Sequence, residues 1–121
     1  IFVAYLMNEY SILSYCFDED RIEGLLERGA VDKDFHIQAH ADELYDYVRI
    51  DDINRLDECA GLERVTIFSP DGASDYMRTR LNRMSDATFA RFIEYQKCIS
   101  ERADLIGAGS HVVDVVRVPL K

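Results

Sequence analysis

The chain opens with the apolar run IFVAYLM at residues 1–7, from which the fold prediction starts. Both faces of this run are apolar, which is typical of a strand inside a parallel sheet with neighbours on both sides. Asn8 and Glu9 end the run. It is too short to cross a membrane as a helix, and no basic segment precedes it as in a signal peptide. We therefore predict a β-strand at residues 1–7 and a chain that begins within a larger α/β sheet.

Two later segments also have strand character. Residues 62–69 form a β-branched run that ends at the turn sequence SPDG, and the valine-rich residues 110–118 end at a proline. Apolar residues recur at helical spacing in five segments, namely residues 18–29, 42–48, 51–61, 76–84 and 85–99. Gly29 and Gly61 are expected helix C-caps, and Ser85 is an expected N-cap. Three strands are few for this many helices, which again predicts part of a larger α/β sheet.

The composition fits one folded domain and restricts its partners. At 121 residues, with 48% apolar and 31% charged side chains, the chain can build one core. Its 14 basic and 23 acidic residues give a net charge of −9, which repels nucleic acid and anionic membrane surfaces. Cys16, Cys59 and Cys98 are far apart and odd in number, as expected of reduced thiols. The sequence thus predicts a cytoplasmic protein that binds neither nucleic acid nor membranes.

Four segments carry a resemblance to a known family. They are IFVAYLMN at residues 1–8, SPDGASDYMR at 69–78, MSDATF at 84–89 and ERADLIGAGS at 101–110, the last followed by His111. Together they resemble the C-terminal half of a bacterial class I S-adenosylmethionine-dependent methyltransferase family. The resemblance implies that residues 1–121 are a partial methyltransferase domain with a Rossmann-like sheet. It also implies the strand order 1–7, 110–118, 62–69, with the middle strand antiparallel, and two helical lid insertions at residues 10–48 and 73–109.

The same resemblance implies methyl transfer from S-adenosylmethionine to a small molecule. In that family the cofactor site lies mainly in the N-terminal half, at a glycine-rich turn between a strand and a helix, and this sequence contains no such turn. The sequence Gly107-Ala108-Gly109 precedes a strand, so its amides are not placed to cradle a nucleotide. We expect residues 1–121 to contribute the lid and much of the acceptor pocket, and to have little activity alone.

The candidate site residues lie near the edge of the predicted sheet where ligands of open α/β folds bind, beyond the carboxyl ends of the parallel strands. His111 is the candidate catalytic base because imidazole titrates near neutral pH, with a structural histidine as the alternative. The candidate acceptor-binding residues are Asn8, Glu9, Asp71, Tyr76, Arg78, Glu101 and Arg102. For Glu101 and Arg102 the alternative is an ion pair or a helix-end anchor. For Asp71 it is a turn residue, and for Tyr76 a residue of the lid core.

No metal site is predicted from the sequence. His36 and His40 are four residues apart, as zinc ligands on a helix are. However, Ile37 stands where the zinc metalloprotease motif has its glutamate, and the segment favours extended structure.

A second hypothesis belongs to a different functional class. The chain would be a free-standing α/β binding or assembly module, and the exposed edge of strand 1–7 would pair with a second copy or with another chain. A homodimer formed through that edge is the corresponding partner prediction.

Overall fold

The computed structural model describes residues 1–121 as a mixed α/β fold with a four-stranded open sheet and five α-helices. The strands are β1 (Phe2–Met7), β2 (Tyr47–Val48), β3 (Glu63–Phe68) and β4 (His111–Arg117). The helices are α1 (Asn8–Ser11), α2 (Ile22–Glu27), α3 (Ile50–Ala60), α4 (Arg78–Leu81) and α5 (Asp86–Ile99). None of these helices combines the length and apolar character needed to cross a membrane.

The sheet order is β2-β1-β4-β3, which confirms the predicted relative order of the three long strands. Strand β4 lies between β1 and β3 and is antiparallel to both, as expected. Ala4 is opposite Val113 in one pair of strands, and Ile67 is opposite Asp114 in the other. Because β1 and β3 therefore run in the same direction, their carboxyl ends and the start of β4 reach the same edge of the sheet.

The predicted number of three strands is wrong, because a fourth strand lies where a helix is predicted. Residues 42–48 do not form a helix; Tyr47–Val48 instead form β2, parallel to β1 at Leu6 and Met7. Leu44 and Tyr45 are 84% and 62% exposed, so no core lies against this segment to stabilise an amphipathic helix. Tyr47 is aromatic and Val48 is β-branched, and both residue types favour a β-strand.

Two other predicted helices differ from the structure, because one begins later than predicted and the other is divided. Helix α2 begins at Ile22 because Glu19 and Asp20 have positive φ angles of 48° and 59°. The predicted helix over 76–84 is divided into a 3-10 turn, Ser74–Met77, and the short helix α4. Helices α3 and α5 are confirmed, since Gly61 ends α3 in the left-handed conformation and the Ser85 hydroxyl accepts a hydrogen bond from the Thr88 amide.

The core lies on one face of the sheet. Its main cluster consists of Met7, Val48, Ile53, Ile106 and Val112, and a smaller cluster consists of Ile12, Cys16 and Val31. The opposite face of β1 is open in residues 1–121, so the expectation of burial on both faces is not met there. Phe2 on that face is 77% exposed. The three cysteines are free thiols, in agreement with the predicted absence of a disulfide framework.

Candidate functional site

The candidate site lies at the edge of the sheet where β3 ends and β4 begins. The turn after β3 and the first residues of β4 are joined by hydrogen bonds. The Ser69 hydroxyl donates to the carbonyl oxygen of His111 at 3.2 Å, and it accepts from the Gly72 amide at 3.0 Å. This contact confirms that the turn following β3 and the start of β4 lie together, as their predicted directions required.

Asp71 and His111 are in direct polar contact at this edge. Asp71 Oδ2 lies 2.5 Å from His111 Nδ1, and the His111 amide donates to Asp71 Oδ1 at 3.3 Å. The imidazole is 45% exposed and the carboxylate 22%. Since Nδ1 is held by the carboxylate, Nε2 is the nitrogen that can exchange a proton with a ligand. The arrangement is that of a carboxylate orienting an imidazole base.

Ser110 and Asp75 complete the group, and we call Asp71, Asp75, Ser110 and His111 the rim cluster. Ser110 Oγ lies 2.7 Å from Asp71 Oδ2, 2.5 Å from Asp75 Oδ2 and 3.0 Å from His111 Nδ1. Hydrogen bonds from Ser110 and from Arg78, the latter at 2.8 Å, lower the pKa of Asp75 below its ordinary value. Asp75 therefore remains a carboxylate at neutral pH.

Two glycines allow these loops to approach so closely. Gly72 has a φ of +50°, which favours glycine in the turn after β3. A Cβ atom at Gly109 would lie 2.6 Å from Ser69 Oγ and 2.8 Å from the Gly72 carbonyl oxygen. Close packing between the two loops thus explains the glycine at position 109.

A cavity of about 280 Å³ lies beside the rim cluster. Its lining includes Asp75, Arg78 and His111 on the polar side. The other lining residues are Leu6, Tyr10, Ser11, Tyr15, Tyr47 and Ser110. The cavity thus offers tyrosine side chains, one guanidinium and the imidazole of His111, which suits a small polar or aromatic molecule that loses a proton.

The rim cluster also contains the one group of side chains whose spacing fits a metal ion. Donor atoms of Asp71, Asp75 and His111 all lie within 4.8 Å of one another. The Ser110 hydroxyl already links these three groups, so their mutual geometry has an acid–base explanation without a cation. The two histidines four residues apart form no such group, because His36 is bound to Asp52 Oδ2 at 3.1 Å and to the Ile37 carbonyl at 3.0 Å.

Asn8 and Glu9 hold neighbouring segments in place. Asn8 is fully buried, donates to the Phe35 carbonyl at 2.9 Å and accepts from the Ile37 amide at 2.8 Å. Glu9 is paired with Arg49 Nε at 2.5 Å. Burial opposes the charge of Glu9, but hydrogen bonds from Arg49 and Asn8 outweigh it and lower its pKa. Both predicted ligand-binding residues thus have structural partners, and neither lines the cavity beside His111.

The remaining predicted residues divide into two groups. Arg78 lines the cavity of the rim cluster, and the Tyr76 hydroxyl donates to the Ala108 carbonyl at 2.8 Å. Glu101 is exposed, and Arg102 forms a bidentate pair with Asp104 at 2.7 and 3.0 Å, not with Glu101. The turn after α5 brings Asp104 to Arg102, which supports the ion-pair alternative.

Sequence reasoning missed the contributions of Asp75 and Ser110. Their signal was present, because Ser110 precedes the candidate base and Asp75 lies four residues after Asp71. Comparisons of the chain with protein-family models, curated proteins and solved structures gave no match. The resemblance to methyltransferases therefore stays a prediction.

Proposed function

We propose that residues 1–121 form the acceptor-pocket and lid portion of a class I methyltransferase that moves a methyl group from S-adenosylmethionine to a small molecule. The observation that supports this proposal is the 2.5 Å contact between Asp71 and His111 beside a cavity at the sheet edge. In this proposal the sheet is part of a Rossmann-like sheet, and the residues that hold S-adenosylmethionine belong to an N-terminal half outside residues 1–121. That half would extend the sheet beyond β2 and the free edge of β1.

His111 is the proposed catalytic base. The bound methyl donor would supply an activated carbon, and an acceptor N–H or O–H loses its proton as it reacts. In this proposal His111 Nε2 takes that proton, while Asp71 fixes Nδ1 and stabilises the imidazolium. Asp75 holds Arg78 at 2.8 Å, which places a guanidinium at the cavity for a polar group of the acceptor.

The two helical segments beside the sheet would act as one lid. Tyr10 begins the first segment, Tyr76 lies in the second, and their rings meet edge to face with centroids 5.0 Å apart. Burial is the main cause that raises the pKa of Tyr76, and the nearby groups Tyr10 and Glu9 raise it further. The hydroxyl therefore stays protonated and donates to the Ala108 carbonyl. The contact couples the segments that flank the proposed acceptor pocket.

The test joins residues 1–121 to the segment encoded directly upstream of Ile1. We expect the joined protein to bind S-adenosylmethionine in a calorimetric titration and to transfer labelled methyl groups. His111→Gln should lower the transfer rate by about 10²- to 10⁴-fold while leaving cofactor affinity unchanged. Arg91→Gln, on an exposed helix face, is the matched control. A joined protein that binds no cofactor, or a His111→Gln variant with the rate and pH profile of the parent, would contradict the proposal.

The free edge of β1 favours the assembly module as a second candidate. Strand β2 covers β1 only at Leu6 and Met7, so the edge from Phe2 to Tyr5 has no neighbour on that side. Such an edge can pair with a second copy. Light scattering on residues 1–121 distinguishes the two proposals. A dimer that Phe2→Lys and Ala4→Lys dissociate supports edge pairing, whereas a monomer excludes it and leaves the edge for an N-terminal half.

A further inference from the structure

An apolar cavity of about 310 Å³ lies within the second helical segment, between α5 and the turn that contains Tyr76. Eight of its eleven lining residues are hydrophobic, among them Met77, Phe92, Ile99 and Leu105. No Asp, Glu, Lys, Arg or His lines this cavity. Because no charged side chain lines its walls, the cavity restricts the charge of the ligands that it can bind.

Two of the three polar side chains at this wall, Tyr76 and Gln96, already have partners. The Tyr76 hydroxyl donates to the Ala108 carbonyl at 2.8 Å, and Gln96 Nε2 donates to the Ser69 carbonyl at 3.2 Å. A ligand that carried a charge into this cavity would lose its hydration without gaining an oppositely charged partner, which costs several kcal/mol. A neutral apolar ligand has no such cost.

Two other cavities have a different chemistry. The cavity of the rim cluster includes Asp75, Arg78 and His111, and the groove of about 630 Å³ along β1 includes Asp46 and His111. The apolar cavity nevertheless lies next to the rim cluster. Gly72 and Gly109 line it, and the residues adjoining them, Asp71 and Ser110, belong to the cluster.

We infer that this cavity binds the uncharged, apolar body of a small molecule, of the size of two or three aromatic rings. Its volume lies at the lower end of the range of roughly 300–1,000 Å³ found for ligand pockets, which fits such a body. The identification of this molecule as the methyl acceptor rests on the proposed function, in which its reacting group would face the rim cluster. The binding of a neutral aromatic molecule does not depend on that function.

The test uses residues 1–121 and the neutral fluorescent probe N-phenylnaphthylamine. We expect saturable binding to one site with increased emission. Ala73 lines the apolar cavity, so Ala73→Phe should fill it and weaken binding by at least about tenfold. Ala4 lines the groove along β1, and Ala4→Phe is the matched control that should leave binding unchanged. Urea unfolding of both variants establishes that each is folded.

A negatively charged analogue of the probe tests whether the cavity lacks cationic side chains that could bind an anion. Anilinonaphthalene sulfonate should bind at least about tenfold more weakly than the neutral probe, measured at about 0.5 M salt so that the overall charge is screened. The inference is overturned if the neutral probe does not saturate one site, if Ala73→Phe leaves its affinity unchanged, or if the sulfonate binds equally well. Probe binding without methyl transfer in the joined protein would instead refute the proposed function alone.

Discussion

Two groups in this molecule each contain a pair of aspartates around one basic side chain, but they lie in very different surroundings. In the rim cluster, Asp71 and Asp75 flank a half-exposed histidine beside a cavity. On the core face of the sheet, Arg64 binds Asp114 through Nε and Nη2 at 2.9 and 3.0 Å and Asp57 through Nη2 at 2.8 Å. We call Asp57, Arg64 and Asp114 the core triad.

The difference between the two groups separates a structural role from a chemical one. The core triad holds a permanent positive charge that cannot exchange protons near neutral pH, and Asp114 in it is fully buried. The rim cluster holds an imidazole with one nitrogen committed to Asp71, and a cavity lies next to it. The core triad is buried away from any ligand, which indicates that it joins β3, β4 and α3. The rim cluster is partly exposed and contains a histidine, which indicates a site for chemistry.

The largest expected effect is the loss of Arg64. Arg64→Met leaves two buried carboxylates without their cation, and breaking a buried ion pair in this way costs about 3–5 kcal/mol. Urea unfolding measures the loss. Arg91→Met, which removes an exposed pair with Glu94 at 2.8 Å, should leave the midpoint nearly unchanged. Equal effects of the two substitutions would show that the core triad is not structural.

A smaller loss is expected for Asp75→Asn in the rim cluster. This carboxylate is 24% exposed and accepts hydrogen bonds from Ser110 and Arg78, so its loss should cost about 1–2 kcal/mol at pH 7. Because these bonds lower the native pKa of Asp75, its contribution is present above the ordinary aspartate pKa and is lost as the pH falls through the lowered value. The difference from the parent should therefore shrink in acid. A constant difference between pH 7 and pH 2 would contradict this assignment.

Ser110→Ala should have a still smaller effect on stability. The hydroxyl is buried and lies between two carboxylates, and removal of one such hydrogen-bonding group costs about 1 kcal/mol. Its loss should also bring the pKa of Asp75 closer to the ordinary value, since Ser110 is the main cause of the lowering. Carboxylate NMR titration measures that shift. Ser100→Ala, at a hydroxyl that bonds only to the Lys97 carbonyl, is the matched control and should leave Asp75 unchanged.

Much of the fold could be predicted because it follows from local patterns. The apolar runs of β1, β3 and β4 predicted three strands, and capping residues such as Gly61 and Ser85 predicted α3 and α5. Strand β2 has only two residues and forms because they pair with Leu6 and Met7 of β1, so no local sequence pattern predicts it. Its pairing is a tertiary effect that outweighs the helical spacing of residues 42–48.

The sites were less predictable because they depend on which distant residues meet. His111 and Asp71 could be placed at one sheet edge because the resemblance to methyltransferases implied the order and directions of the strands. The core triad could not, because an aspartate is ordinarily expected on the solvent-exposed face of a strand, whereas Asp114 shares the buried face of β4 with Val112 and Val116. A register shift between Arg64 and Thr66 determines which residues of β3 meet β4 beside it. The partner of Arg102 could not be predicted for the same kind of reason, since a turn brings Asp104 to it.

Asp57→Asn should have the smallest effect and the opposite sign to Asp75→Asn. Burial is the main cause that raises the native pKa of Asp57. The hydrogen bond and the charge of Asp114 raise it further, because the two carboxylates share one guanidinium. The native state therefore binds a proton at Asp57 more readily than the unfolded chain, and this contribution to stability falls as the pH rises through the raised pKa. An asparagine still accepts from Arg64 and carries no charge to be buried beside Asp114. Asp57→Asn should thus be slightly more stable than the parent at pH 7, with the difference disappearing as the pH falls towards the ordinary aspartate value. If urea unfolding instead shows that Asp57→Asn and Asp75→Asn lose stability alike at pH 7, the two aspartates have the same electrostatic role, and the distinction between a structural core triad and a chemically active rim cluster fails.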